Sequence, residues 1–470
     1  MSPRRLARAA LSCALFFSAM FAPLVAAAQT PRPPAVLVVG GTPAGVAAAV
    51  AAAREGADVT LVAARPVLGG ILTDAMMDQW DLNVAPGGSE VQGGLFAEIH
   101  AGLGDAFTPQ AAAAYFAELV GREPRVHTVL SARVDGVTTS GAPGQRSVES
   151  IRFRRPDGTA FAIAADRIVD ATDNGDVAAL AGARYDLGRQ DTGIDERMQP
   201  VTLMFTLRGV DWNRVAGSYD APVFGAGGAE ERRAWGYAKL MAAYRPLSPD
   251  VVVRDLNLGH EPDGEVTVNA VNVLGIDGRS DASLAAARAI SERETPHLIA
   301  FLRARVPGLE TAVLGRYASA IYVRETRHFA GVERLTAGAV WHGEIPDDTI
   351  GLASYPLDLH PVSAADKLAY APLRHVYGIP LGTLVPRDLT DVILASPAIS
   401  ATHVAAGSAR VVPTTIEEGE AAGDAAALAL RSNATFPQLA RDPGAIAALR
   451  SELAEDGTIL SYRTGVHARI

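Results

Sequence analysis

A single cysteine, Cys13, occurs among 470 residues. It lies in a segment expected to be removed, so the mature protein is expected to carry no thiol. That excludes disulfides, cysteine-ligated iron–sulfur clusters, redox dithiols and a cysteinyl cofactor link. A core of the size this chain can bury does not need disulfides. Lysine is almost as scarce, with Lys239 and Lys367 alone, so arginine carries nearly all the positive charge. No HExxH or other dense His/Asp/Glu set is present, and no metal is expected. The net charge is −10, although Arg4, Arg5 and Arg8 all stand at the very start. The remainder is more acidic still, which disfavours nucleic acid and anionic membrane surfaces as partners.

Apart from one at the start, long apolar runs are missing. Ala9–Val25 follows the three arginines and ends in Ala26-Ala27-Ala28 before Gln29. A basic start, an apolar run and a small-residue junction predict an export leader, residues 1–28, cleaved after Ala28. A membrane anchor is the rival reading. The run is slightly short for a span and Pro23 interrupts it, so no stable anchor is expected and the protein is placed in the periplasm or medium. Arg4-Arg5 leaves both the general and the twin-arginine export routes open. Residues 29–34 read as an extended, proline-rich linker.

The rest is globular in composition, 49% apolar and 20% charged. Its most informative stretch is Val36–Val39, Gly40-Gly41-Thr42-Pro43-Ala44-Gly45, an alanine-rich run to Arg54, Gly56, and Asp58–Val62. This predicts a buried strand, a glycine turn, a helix and a second strand. Such a βαβ unit sets backbone N–H groups and a helix N-terminus against a pyrophosphate. Gly40 permits the tight turn, Gly45 the close helix–strand packing, and Gly56 a left-handed helix end. Thr42 stands where the middle glycine would be; its side chain holds the backbone off the pyrophosphate unless its hydroxyl contacts phosphate. An ordinary strand–turn–helix of an alanine-rich α/β protein is the plainer alternative.

Helical periodicity returns at Phe96–Leu103 and Gln110–Val120. Arg125–Arg133, Ser147–Arg154 and Thr159–Ala164 alternate with period two and predict an antiparallel meander. Arg167–Thr172 reads as a short buried strand. From about Gln199 the texture changes to strands (Val201–Leu207, Val251–Leu256, Glu265–Val273) mixed with helices (Glu230–Ala243, Ala282–Arg305). Near Gly378 the first texture returns, with a buried strand at Val392–Ala395 and a long helix from Pro413 to Leu430. The order predicts a nucleotide domain in two parts, 35–198 and 373–433, an inserted domain at 199–372 and a C-terminal extension at 434–470.

With these segments in this order, most of the mature chain resembles the FAD-dependent oxidoreductase family of the glutathione-reductase-like flavoprotein superfamily. Gly40, Gly41, Thr42, Ala44 and Gly45 resemble its dinucleotide turn. Gly69 and Gly70, after Leu68, resemble the loop passing the flavin pyrophosphate. Asp170-Ala171-Thr172 with Gly175 and Asp176 resembles the second FAD motif. Arg324–Arg327 and Tyr355–His360 resemble middle-domain segments. Ser400–His403, then Gly407, Ser408 and Arg410, then Gly419–Gly423 resemble the C-terminal signature. The resemblance implies an α/β fold: a Rossmann-type FAD-binding domain with a parallel sheet and antiparallel meander, plus an inserted α+β substrate domain. It implies FAD, a small-molecule substrate, and oxygen, a quinone or a carrier protein as electron acceptor. Three places depart from the family pattern. Ala63 replaces the acid that ends the second strand, with Arg65 two residues on as a substitute contact to phosphate. Asp173 replaces a glycine after Thr172. Ser396-Pro397 replaces the usual Gly-Arg after Ala395.

A flavin oxidoreductase needs a group that takes a proton as hydride leaves the substrate. Asp358 and His360, two apart on an extended stretch, share a side, and the carboxylate can orient the imidazole as base. Loop capping is the plain alternative. His403 is the competing base, or a turn cap. Arg324 and Arg327 flank Glu325, either clamping a substrate carboxylate or forming an internal ion pair. Arg410 is placed to meet flavin or substrate, and His328 reads as a surface or packing residue. In the Pro413 helix, Glu417 and Glu418 are expected to complement the positive N-terminus, while Gly419 and Gly423 allow close packing on another backbone. The best reading is an exported FAD-dependent oxidoreductase that oxidises a small organic substrate by hydride transfer to flavin N5. Two alternatives stay open: an isomerase or hydratase with structural FAD, and a non-catalytic binding protein of this fold that has lost the cofactor.

Overall fold

The computed structural model describes residues 35–363, 365–366 and 369–462. The expected leader and linker lie outside them. The first core is built on β1 (Val36–Val39), α1 (Pro43–Arg54) and β2 (Val59–Val62). β1 is VLVV and wholly buried, the near-continuous apolar run of a parallel strand covered on both faces. Thr42 caps α1 and Pro43 fills its first turn, where a missing N–H does no harm. Gly56 ends the segment at φ 87°.

Two more helices follow, α2 (Gly94–Leu103) and α3 (Pro109–Gly121), then β3 (Val126–Val129), β4 (Arg133–Ser140), β5 (Ser147–Arg154), β6 (Ala160–Ile163) and β7 (Arg167–Asp170). Five parallel strands form the main sheet in the order Val392–Leu394, β7, β1, β2, β3. The meander is β4–β5–β6. Arg125–Arg133 is therefore not one meander strand, because its first half joins β2 in parallel. Ser131, at φ 55°, makes the break, and its N–H bonds to the Arg65 carbonyl. No glycine or proline announces that turn.

The second core gathers buried residues from Val201 to Ala312. Its antiparallel sheet runs in the order Gly228–Ala229, Arg233–Gly236, Leu256–His260, Val266–Asn269, Phe205–Arg208, Val313–Tyr317. The helix Asp281–Arg303 packs beside it. The expected helix at Glu230–Ala243 is instead a strand, Arg233–Gly236, and one turn, Ala238–Met241. Gly236 (φ 100°) and Tyr237 (φ 68°) stand in the left-handed region between them and stop any continuous helix. The expected strand Val201–Leu207 also divides. Val201–Thr202 pairs with Asn272–Val273, and Phe205–Leu207 with Val266–Val268.

Phe329, Val340, Ile350 and Tyr377 pack in the first core, as do Phe436, Leu449 and Leu453 of the C-terminal extension. The Val412–Ser432 helix crosses α1. A side chain on Gly419 would strike the Ala44 carbonyl, and one on Gly423 the Ala48 carbonyl. The two glycines are thus what lets the backbones approach.

Candidate active site

A cavity of about 890 Å³ opens at the carboxyl ends of β1, β2 and β7, where open α/β sheets bind ligands. Val39–Ala44, Val62–Arg65 and Thr172–Asn174 form one wall. Leu284, Arg288 and Ser319–Arg324 come from the second-core side. Ala395–Pro397, Arg410, Val412 and Thr415 close the third.

In the glycine turn, Gly40 stands at φ 128°. A Cβ there would hit the Ala171 carbonyl, and one on Gly45 would hit the Gly40 carbonyl. Gly40, Gly41, Thr42 and Ala44 line the cavity, while Gly45 locks α1 to β1 from behind. The Thr42 hydroxyl donates to the Ala171 carbonyl at 3.1 Å and accepts the Gly45 N–H at 3.0 Å. The hydroxyl thus serves as the helix cap, on a residue that also lines the cavity.

Ala63 is buried on the wall beside Gly41, and Arg65 is exposed on the same wall. Asp173 also lines it. The surrounding protein, Asp176 and Asp74 push the Asp173 carboxyl up to about 6, against the pull of Arg65. Gly70, Thr172 and Asp176 reach the wall. Gly69 (φ 107°) packs near Thr73 and Phe116, and Gly175 (φ 63°) against Phe329, so both shape it from behind.

At the third wall Arg410, which follows the helix His403–Ala409, donates to the Tyr322 hydroxyl at 2.7 Å and to Asp358 at 3.0 Å. Asp358 stands 3.3 Å from His360 Nε2. Burial works against its ionisation, but His360, Arg410 and Arg324 hold the carboxyl well below the usual range. Burial, Arg324 and Arg410 bring His360 down to about 4 against the pull of Asp358, so the imidazole is neutral at neutral pH. Asp81, held up by burial, accepts the Tyr355 hydroxyl at 3.2 Å. Asp358 and His360 are not among the described residues that line the cavity; they reach its wall through Arg410.

Arg324 and Arg327 both line the cavity, but neither pairs with Glu325. Arg324 donates to the Pro200 carbonyl (2.9 Å) and Thr202 (2.8 Å), and its guanidinium lies 4.4 Å from the Tyr322 ring centroid. Arg327 pairs with Asp176 at 2.8 Å. Glu325 is bonded by His328 (2.8 Å) and His403 (2.6 Å) instead. His328 is therefore a buried, bonded residue and not a surface one. His403, beside it, is away from the cavity wall. Gly407 and Ser408 also stand off that wall. Gly407 abuts Leu359, and Ser408 bonds the Tyr377 hydroxyl at 2.8 Å.

Glu417 and Glu418 stand one turn in from the helix N-terminus, and burial disfavours their charged form. Both are buried in the second turn of the Val412–Ser432 helix, and burial pushes both well above the carboxylate range. Glu417 accepts the Gly93 N–H at 2.9 Å, and neither Glu418 oxygen has a partner among the described residues. Sequence reasoning missed Tyr322, Asp74, Arg288 and Ser319 as wall residues. No local motif marks them, since tertiary packing alone brings them there.

The family model described as FAD dependent oxidoreductase matches residues 35–453. A search of curated proteins finds no match. Among solved structures, the fold is similar to a geranylgeranyl bacteriochlorophyll reductase-like protein from Thermoplasma acidophilum, at 13% identity and TM-score 0.43, covering 91% of this chain and 84% of that one. It is similar to p-nitrophenol 4-monooxygenase from Pseudomonas putida, at 12% identity and TM-score 0.43, covering 92% and 90%. It is also similar to the flavin-dependent brominase Bmp2, at 9% identity and TM-score 0.44, covering 89% and 83%. The residues present fit the family's cofactor, FAD. The cavity lies at the upper end of the size range of ligand sites. The turn at the N-terminus of α1 lines it, and Gly40 and Gly45 let that turn close against Ala171 and let α1 close on the turn.

Proposed function

Because the chain belongs to the FAD-dependent oxidoreductase family, we propose that it oxidises a small organic substrate by hydride transfer to flavin N5. The Gly40–Ala44 turn and the N-terminus of α1 would hold the pyrophosphate of FAD, with Arg65, Thr172, Val412 and Thr415 lining the rest of its site. Bound FAD supplies a two-electron acceptor. His360 is the proposed base; it stands behind the wall, so the substrate proton would have to reach it past Arg410. Its Nε2 stands 3.3 Å from Asp358 Oδ2, and the carboxylate would orient the ring and stabilise the imidazolium that forms. Arg410 ties this pair to the cavity wall. The chain of contacts His360–Asp358–Arg410–Tyr322 carries the reading.

A general base contributes ~10²–10⁴-fold to rate. His360→Ala is therefore expected to slow anaerobic flavin bleaching by at least about a hundredfold with the bound-flavin spectrum intact, using the substrate found by screening alcohols, sugars, amines and hydroxy acids. Tyr322 offers a second reading because it lines the cavity directly. If Tyr322→Phe is slow and His360→Ala is not, the proton passes to the tyrosine side. The acceptor of the second half-reaction is oxygen, a quinone or a carrier protein. Export with cleavage after Ala28 belongs to the same reading, and the intact mass of the exported protein checks it; a mature form keeping Arg4 overturns it.

A further inference from the structure

The second-core side of the large cavity carries a buried cation that no carboxylate touches. Arg324 lines this cavity and a smaller one beside it, yet is only 3% exposed. Neutral oxygens alone hold its guanidinium. Nη1 donates to the Pro200 carbonyl at 2.9 Å and the Thr202 hydroxyl at 2.8 Å, and Nη2 reaches Asn269 Oδ1 at 3.4 Å. Nε is buried without a partner among the described residues. A guanidinium has five N–H donors. Nε–H and one Nη2–H are therefore left over, on the edge that a carboxylate meets with both its oxygens.

The neighbouring arginines differ in this respect. Arg410 has Asp358 at 3.0 Å, and Arg327 has Asp176 at 2.8 Å. Arg324 has no such partner among the described residues. Burial pulls its guanidinium down from the usual value. The like charge of Arg410 adds to this, while Tyr322, Asp358 and Asp255 act the other way. A buried cation so placed is short of countercharge, and the cavity is where an anion can reach it.

The phosphates of FAD are placed elsewhere, at the Gly40–Ala44 turn. The Val412–Ser432 helix meets α1 there, with Gly419 against the Ala44 carbonyl. Arg324 belongs with the start of that helix: it lies against the Tyr322 ring, and the Tyr322 hydroxyl bonds Arg410, two residues before Val412. Seven residues of helix, about 10 Å, separate Val412 from Gly419.

We propose that Arg324 binds the carboxylate of the substrate, which is thus a small carboxylic acid. The proposal rests on the oxidoreductase reading, with FAD in the same cavity. The carboxylate takes no part in the chemistry; it fixes the molecule against the second-core side. Asp358, ionised and acting on the same guanidinium, disfavours a dianion, so a singly charged carboxylate suits the place better than a phosphate.

Calorimetric titration of the yellow holoenzyme with acetate, propionate and benzoate, each beside its amide, tests this. At least one acid is expected to bind about tenfold or more tightly than its amide. In Arg324→Gln that acid is expected to bind about 10–100-fold more weakly, with the amide unchanged. Arg324→Lys keeps a charge without the fork, is expected to weaken the acid as well, and serves if Arg324→Gln does not fold. Equal binding of acids and amides by the yellow wild type overturns the proposal, as does binding of neither. A yellow variant that keeps the wild-type affinity for the acid also overturns it; a shifted flavin potential in that variant would make Arg324 a partner of the ring. A colourless wild-type protein overturns FAD occupancy instead.

Discussion

At the scale of single residues, three side chains have measurable consequences. Thr42 satisfies the Gly45 N–H and ties the turn to Ala171. Thr42→Val keeps the shape and loses both bonds, so urea denaturation is expected to show a loss of about 0.5–2 kcal/mol. The buried acids of the Val412–Ser432 helix act through pH. Burial holds the Glu418 carboxyl well above the range where an unfolded glutamic acid releases its proton, near ~4.3. Its raised folded pKa therefore makes stability greatest below the unfolded value and lowers it as pH rises towards the folded value. Glu420, pushed up to about 7 mainly by burial, adds to that loss between the unfolded carboxyl range and about pH 7. Glu418→Gln removes the ionisation and keeps the volume. It is expected to raise Tm above neutrality, with little change in acid, and to flatten the pH–Tm curve measured by calorimetry.

At the scale of elements, the crossing of α1 and the Val412–Ser432 helix depends on two missing side chains. Gly423→Val would drive a branched group into the Ala48 carbonyl. Forced separation of the helices is expected to cost about 1–3 kcal/mol and to lower flavin content per polypeptide, read from the visible absorbance of the purified protein. That the later helix packs closely at Gly419 and Gly423 was legible in sequence, as was the β1–turn–α1 unit, because glycine spacing and apolar runs are local signals; that α1 is its partner was not. The Arg233–Gly236 strand was not. It is fixed as a strand by pairing with the distant Leu256–Gly259, and no local pattern announces the positive φ angles at Gly236 and Tyr237 that end it. The site divides in the same way. Thr42, Arg65 and Arg410 could be picked from motifs. The Glu325–His403 bond joins residues 78 apart, and nothing in either neighbourhood announces the other. Likewise, the share of the wall given by the Asp281–Arg303 helix comes from packing between cores.

At the scale of the whole molecule, the cavity wall draws on both cores, so its occupant braces one against the other. Anything that binds only the folded state stabilises by mass action, by about 2.7 kcal/mol at a hundredfold excess over Kd. Stripping FAD with acid and salt is expected to lower Tm, and adding FAD back to restore it in proportion to the logarithm of its concentration. Limited proteolysis of the stripped protein is expected to cut first near Ser319–Arg324 or Ala395–Pro397, wall segments outside the regular helices and strands. A Tm indifferent to FAD would mean that the cavity holds something else.

The same wall sets the order of events at the ribosome. It runs from Val39 to Thr415, and the strand Val392–Leu394, which flanks β7 in the main sheet, is made late. A nascent chain emerging at about 5–20 residues per second has its glycine turn long before it has the rest of the site. Cofactor capture is therefore an event of the finished polypeptide. Cells short of riboflavin should accumulate full-length, colourless protein that turns yellow on later feeding, with translation already blocked.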